Sequence, residues 1–257
     1  MPAPHNPFKA ALAEKQPQIG LWVTSAEASM TELITTAGFD WLVIDSEHAP
    51  NDLRSLRDHL MVVEPTPSHA VVRVPFGEAW ILKQVLDAGA QTILVPMVDT
   101  AEHATEMASA MRYPPQGIRG MGASGGRASH FGKIADYVAT ANDQVCLLVQ
   151  AESRAALENL DDILTVDGVD GVFIGPADLS ADMGYPGNAG APEVQEAIAA
   201  TIKKIAASDK AAGILVQDLG SAQKYLNMGA TFVAVGIDTV IFAKAIRKLA
   251  TDAKGLL

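Results

Sequence analysis

The chain has 257 residues, 49% of them hydrophobic and 5% aromatic, with a formal net charge of −11 at pH 7. That length can bury a substantial α/β core, while the acidic balance leaves no basic stripe to neutralise phosphates and so excludes nucleic acid as the expected partner. A lone cysteine, Cys146, inside an apolar run rules out an internal disulfide framework, and with no membrane-length apolar stretch and no signal-peptide core in residues 1–9 the expectation is a cytoplasmic protein without a membrane partner.

In chain order, eight short aliphatic or β-branched runs stand at 19–23, 41–45, 70–74, 92–96, 145–149, 171–174, 213–216 and 232–235. Helical patterns separate them, at 29–37, 52–63, 78–88, 102–111 and 192–207, with a helix expected ahead of the first strand and another at 239–250. The runs are apolar throughout rather than alternating, which marks strands buried on both faces and hence a parallel sheet. A short phrase recurs just before strands: Ala37-Gly38-Phe39-Asp40, Ala88-Gly89-Ala90-Gln91, Asp167-Gly168-Val169-Asp170 and Met228-Gly229-Ala230-Thr231. Its glycine ends a helix in the left-handed conformation and turns the chain into the next strand. This βα rhythm predicts an α/β fold, a single (β/α)8 TIM barrel over residues 1–257. The Gly-x-Gly-x-x-Gly pattern of a dinucleotide fold does not follow the first strand. Residues 113–132 break the rhythm with six glycines, Pro114, Pro115, Arg119 and Arg127, and their length predicts a functional loop or lid.

Active sites of such barrels lie at the C-terminal strand ends, and polar residues gather there. The first strand ends with Trp22, the second runs into Asp45-Ser46-Glu47-His48, and the third ends with Arg73-Val74-Pro75. The fourth ends with Pro96, the fifth leads to Gln150 and Glu152, the sixth to Pro176 and Asp178, and the seventh finishes near Leu215 and Gln217. Glu152 and Asp178, on neighbouring strands, would supply two oxygen ligands for a hard divalent cation; each could instead cap the helix that follows. His48, directly after a strand, reads as a general base rather than a structural histidine. Arg73 reads as an anion- or enolate-binding group, with Asp45 or Glu47 as its partner if it is structural. The Gly175-Pro176-Ala177-Asp178 turn offers backbone N–H groups to a carboxylate or phosphate. No lysine stands at a strand end to form a Schiff base, and no Gly-x-Ser-x-Gly elbow is present. Metal-assisted stabilisation of an enolate is the chemistry left.

These residues resemble the HpcH/HpaI class II pyruvate aldolase family. The resemblance runs over nearly the whole chain and rests on Gly20-Leu21-Trp22, Asp45-Ser46-Glu47-His48, Arg73-Val74-Pro75, Leu94-Val95-Pro96-Met97, the stretch from Arg112-Tyr113-Pro114 to Arg119-Gly120, Gln150-Ala151-Glu152 and Gly175-Pro176-Ala177-Asp178-Leu179-Ser180. It implies a divalent metal cation (Mn2+, Co2+ or Mg2+) on Glu152 and Asp178. It also implies pyruvate bound there with contacts from Ala177, Asp178 and Gln150, Arg73 on the keto oxygen, and His48 as base on the C4 hydroxyl. Trp22 and Leu215 would border the aldehyde pocket, and Asp87 would be the partner of the histidine. Because Asp87 ends a helix just before the fourth strand, it belongs to the bottom of its own barrel and would serve the histidine of another subunit. The resemblance suggests a homohexamer, packed partly through the C-terminal helix. The reaction it implies is reversible cleavage of 4-hydroxy-2-oxo acids, with 4-hydroxy-2-oxoheptane-1,7-dioate, an intermediate of aromatic catabolism, giving pyruvate and succinic semialdehyde. Sugar-derived 2-keto-3-deoxy acids of the rhamnonate or glucarate type are the alternative substrates, because strand-end motifs do not choose the aldehyde. A CoA-thioester lyase of the citrate lyase β type would need a basic site for the CoA phosphates, and none is evident. A barrel that only binds anions leaves His48 unexplained.

Overall fold

The computed structural model describes residues 1–257. Eight parallel strands close into a barrel in sequence order: β1 (Gln18–Val23), β2 (Trp41–Asp45), β3 (His69–Arg73), β4 (Thr92–Val95), β5 (Cys146–Ala151), β6 (Gly171–Ile174), β7 (Ala211–Leu215) and β8 (Phe232–Ile237). β1 pairs with both β2 and β8, which closes the ring. Each strand falls on an expected run, with ends moved by a residue or two. The two faces of each strand divide the core: Trp41, Val43, Val71 and Leu148 fill the barrel interior, while Ile44, Val72, Ile93 and Val172 pack beneath the surrounding helices. Two glycines make room for the large interior rings, since a Cβ on Gly20 would overlap Trp41 and one on Gly213 would overlap Phe232.

The helix ahead of β1, Pro7–Ala13, stoppers the N-terminal end of the barrel. Its cap residue Asn6 accepts a hydrogen bond from the Lys9 amide at 2.9 Å and donates to Gln144 O at 2.9 Å. Phe8 and Leu12 turn inward into the interior cluster. The Phe8 ring stacks flat on His69 at 5.4 Å and lies 5.6 Å from Trp41. Burial with no charged partner pushes His69 down to about 4, so it serves as a neutral part of that packing and donates to or accepts from Thr92 Oγ1 at 2.8 Å. The four glycines of the recurring phrase all have positive φ, between 86° at Gly38 and 114° at Gly89.

The segment 113–132 is not a lid over its own mouth. It follows the helix Ala101–Met111 and precedes β5, which puts it at the strands' N-terminal end, away from its own mouth. It is packed there rather than free: Tyr113 and Arg119 are buried, the Arg119 guanidinium lies 4.4 Å over the Tyr113 ring, and Arg127 donates to Ala88 O at 3.3 Å. The C-terminal helix, Asp238–Lys254, leaves Ile241, Phe242, Ile246 and Leu249 exposed. No helix is long and apolar enough to cross a membrane.

The stopper has a measurable consequence. Phe8→Ala should lower the unfolding free energy by about 3–5 kcal/mol, the usual cost of deleting a buried aromatic ring. Urea unfolding checks this, and a loss of less than about 1 kcal/mol would mean that Phe8 is not part of the barrel's core packing.

Candidate active site

Two strand pairs build the mouth. In the β2–β3 register Asp45 stands opposite Arg73, so the last residues of the two strands meet side by side. The Arg73 guanidinium forks onto Asp45, with Nε donating to Oδ1 at 2.9 Å and Nη2 to Oδ2 at 2.6 Å. Its third nitrogen, Nη1, lies 2.7 Å from Glu47 Oε2, an ion pair outside hydrogen-bond geometry, since that oxygen has no hydrogen-bond partner. The Trp22 indole N–H donates to Asp45 Oδ2 at 3.3 Å, and the guanidinium sits 4.8 Å over the Trp22 ring. Backbone amides of Glu47 and His48 turn back to Asp45 Oδ1 at 3.0 and 3.4 Å. Burial alone would raise Asp45, but the hydrogen bonds and charge of Arg73 outweigh it and hold the carboxyl below its ordinary value. The bidentate fork fixes the plane of the guanidinium.

In the β5–β6 register Ala151 stands opposite Ile174, so the next residues, Glu152 and Gly175, are neighbours. Only glycine fits there: a Cβ at 175 would overlap Glu152 Oε2 and come within 2.9 Å of Gln150 Nε2. Glu152 is buried, its Oε1 accepting from the Met97 amide at 2.8 Å and its Oε2 from the Gln150 side-chain amide. Met97 takes φ of 52°, a sparsely occupied conformation for a side chain of its type. Burial pushes Glu152 up to about 7; the Met97 and Gln150 hydrogen bonds oppose the rise, and the charges of Asp178 and Glu47 add to it. Glu47 is raised as well, burial outweighing the nearby Arg73, with Asp45 and Asp178 adding. Asp178 stands exposed in the first turn of the helix Pro176–Asp182. Gln150 Oε1 is buried with no hydrogen-bond partner.

These strand ends enclose a cavity of about 240 Å3. Of the expected site residues, Trp22, His48, Arg73, Gln150, Ala177, Asp178 and Leu215 all line it. Glu152 stands just behind, in contact with Gln150. His48 is largely exposed at the rim, its Nε2 3.8 Å from Glu47 Oε1. Asp87 is not brought here. It ends the helix Ala79–Asp87 at the opposite face of the barrel, where Oδ1 accepts from Arg119 Nη2 at 2.7 Å. Glu152 is not a helix cap either, because Ser153 caps the helix Arg154–Glu158 with its own side chain.

Three features escaped the sequence. Asp45 and Glu47 hold Arg73 together, where the motif offered them only as alternative partners. Gly175 is required by the Glu152 carboxylate rather than by a turn. The Met97 amide anchors Glu152, and nothing in a methionine announces a positive φ. Another cavity, of about 260 Å3, lies at the opposite end, lined by His5, Arg127 and His130, and holds none of these groups.

A parallel TIM barrel with buried carboxylates, an arginine and a histidine at the C-terminal strand ends is the layout of a barrel lyase. The chain belongs to the HpcH/HpaI aldolase/citrate lyase family, which it matches over residues 18–245. It is 60% identical over 255 residues to a hydroxypyruvate/pyruvate aldolase of Agrobacterium fabrum, covering 99% of this chain and 96% of that one. It is 54% identical over 246 residues to a 2-keto-3-deoxy-L-rhamnonate aldolase of Klebsiella pneumoniae, covering 95% and 92%. Its fold superposes with a TM-score of 0.93 on a crystal structure of an HpcH/HpaI aldolase/citrate lyase family protein from Burkholderia cenocepacia, at 36% identity and 97% and 99% coverage. The protein is an enzyme, an aldolase of the lyase class.

Glu152 binds its proton more tightly in the folded than in the unfolded state. Between about 4.5 and about 7 the folded protein therefore holds the extra proton, and stability falls as pH rises through that window. Without added divalent cation, the wild type should lose up to about 3 kcal/mol across it relative to Glu152→Gln. Urea unfolding of both proteins at the two ends of the window measures this; parallel pH dependences would contradict the raised carboxyl.

Proposed function

We propose that the enzyme is a class II pyruvate aldolase, dependent on a divalent cation, that reversibly cleaves 4-hydroxy-2-oxo acids to pyruvate or hydroxypyruvate and an aldehyde. The observation that carries this reading is the charge at the mouth. Asp45, Glu47, Glu152 and Asp178 face the single guanidinium of Arg73, and the Gln150 carbonyl oxygen beside them has no partner. Hard oxygen donors with uncompensated negative charge suit a cation such as Mg2+ or Mn2+. No three His, Cys, Asp or Glu side chains form a ready cage, so Glu152 and Asp178, with Gln150 beside them, would hold the ion and leave open positions for substrate oxygens. When bound, it acts as a Lewis acid on the keto oxygen and carboxylate of the donor.

The chain's own residues supply the rest. Arg73, fixed by Asp45, presents its remaining N–H groups to the keto oxygen and stabilises the negative charge that grows there as the enolate forms. The N-terminal turn around Ala177 and Asp178 offers backbone amides to the donor carboxylate. His48, at the rim, removes the proton from the C4 hydroxyl in cleavage and returns it in condensation. Trp22 and Leu215 wall the aldehyde side.

The name of the Agrobacterium relative supports pyruvate or hydroxypyruvate as donor, and that of the Klebsiella relative supports a 2-keto-3-deoxy acid as the compound cleaved. For the aldehyde, the cavity speaks against succinic semialdehyde. Arg73 is engaged by two carboxylates, and no other arginine or lysine lines the mouth, so the distal carboxylate of 4-hydroxy-2-oxoheptane-1,7-dioate would meet no counter-charge. Aldehydes from sugar-derived 2-keto-3-deoxy acids fit the lining better. Asp87, ion-paired at the far face, would act on the histidine of a neighbouring copy in a homohexamer.

Substitution separates the roles. Arg73→Ala should slow exchange of the pyruvate methyl protons for deuterium by at least about 100-fold, the scale for losing an oxyanion donor. His48→Ala should slow aldol cleavage by about 100-fold or more while leaving exchange within a few-fold of wild type. NMR follows both reactions. Retained exchange in Arg73→Ala, or equal losses in His48→Ala, would overturn the assignment.

A further inference from the structure

A second cavity adjoins the mouth, and the reading above gives it no task. Of about 420 Å3, it lies between the helix Pro176–Asp182, the end of β7 and the helix Leu219–Asn227. Pro176, Ala177 and Leu215 line both cavities, so they form a common wall, and Ala177 contributes only a methyl group to it. We propose that this second cavity is the subsite for the distal end of the acceptor aldehyde, that it takes a neutral hydroxylated chain, and that Ser221 and Gln217 limit its length and polarity. The inference rests on the aldolase reading of the mouth.

Three observations support it. The first is position, because the aldehyde carbonyl must meet the donor beside Leu215, and a chain too long for the mouth leaves over the shared wall. The second is rigidity. Gln195 Oε1 accepts from Tyr225 Oη at 2.9 Å and from Lys224 Nζ at 2.9 Å, while Gln195 Nε2 donates to Ala189 O at 2.9 Å. That network ties the far side of the cavity together, so its polar end is held open rather than collapsed. The third is charge. Ile198 and Ile214 form an apolar floor, and Gln217, Ser221 and the Tyr225 hydroxyl provide neutral polar groups. The only charged side chain in the lining is Asp218, whose Oδ1 already accepts from the Ser221 amide at 2.8 Å. A carboxylate-ended aldehyde would be repelled there, and a plain alkyl chain would offer no hydrogen bond to the Gln217 amide or the Ser221 hydroxyl.

The test is a matched acceptor set with pyruvate as donor: erythrose, butanal and succinic semialdehyde, which share a four-carbon chain, with glycolaldehyde as the short control. In the wild type kcat/KM should be highest for erythrose and at least about tenfold lower for succinic semialdehyde. Ser221→Phe, which fills the cavity, should lower kcat/KM for erythrose about tenfold or more and leave glycolaldehyde within twofold. Gln217→Ala should narrow the preference for erythrose over butanal without touching the short acceptor. Thermal unfolding establishes that each variant is folded, and Gln217→Ala carries the test if Ser221→Phe is not. Succinic semialdehyde used as well as erythrose, or erythrose and glycolaldehyde losing equally in the folded variants, would overturn the subsite. Deuterium exchange into pyruvate separates the two readings: exchange in the wild type with no acceptor discrimination sinks the subsite alone, and no exchange at all sinks the aldolase reading beneath it.

Discussion

Uncompensated negative charge at the C-terminal strand ends is the constraint around which this barrel is organised. One guanidinium faces four carboxylates within a single mouth, and two of those carboxylates, Glu47 and Glu152, are held above their ordinary values by burial and by neighbouring negative charge, that of Asp178 in both cases. A folded protein does not keep such an imbalance for stability, because buried charges cost several kcal/mol each unless paired. Such an imbalance suits the role proposed for the mouth, in which a cation and the substrate oxygens on it would balance the carboxylates. Arg73 escapes that role by being committed: Asp45 grips it in two places, which leaves it a fixed electrostatic donor rather than a mobile counter-ion.

The parallel register is what turns separate strand ends into one site. Asp45 meets Arg73 because β2 and β3 end together, and Glu152 meets Gly175 because β5 and β6 do. Behind the mouth, the interior rings of Trp22 and Phe232 each pack within 6 Å of Phe173, giving the polar layer a rigid floor. The helix Pro7–Ala13 completes the other end. A shift of one residue in either strand pair would send a carboxylate to the outer face, so the chemistry depends on packing far from it.

The eight strands were legible because their runs are apolar on both faces, and the recurring Gly phrase marked where each helix gave way to a strand. The gathering of Trp22, His48, Arg73, Gln150, Asp178 and Leu215 was equally legible, since in a parallel barrel every strand end points to the same face. What sequence could not give was geometry within the layer. The motif Asp45-Ser46-Glu47-His48 does not say that both acids bind Arg73, and Met97 does not advertise the backbone turn that points its amide at Glu152. The position of the glycine-rich stretch was not legible, for a different reason. Composition marks a segment as irregular but not which end of the barrel it covers, and its place between a helix and β5 sends it to the far side, where Tyr113 and Arg119 pack it down. The aldehyde was least legible, because the proposed choice depends on two cavities whose linings hold no arginine or lysine besides Arg73, and sequence does not record which side chains line a space.

The most direct test is a crystal structure of the protein with Mn2+ and pyruvate, using the anomalous scattering of manganese to locate the ion. The account predicts one strong peak between Glu152 and Asp178, with the pyruvate keto oxygen on the side facing Arg73. A peak elsewhere, or pyruvate bound at the mouth with no ion on those two carboxylates, would contradict it.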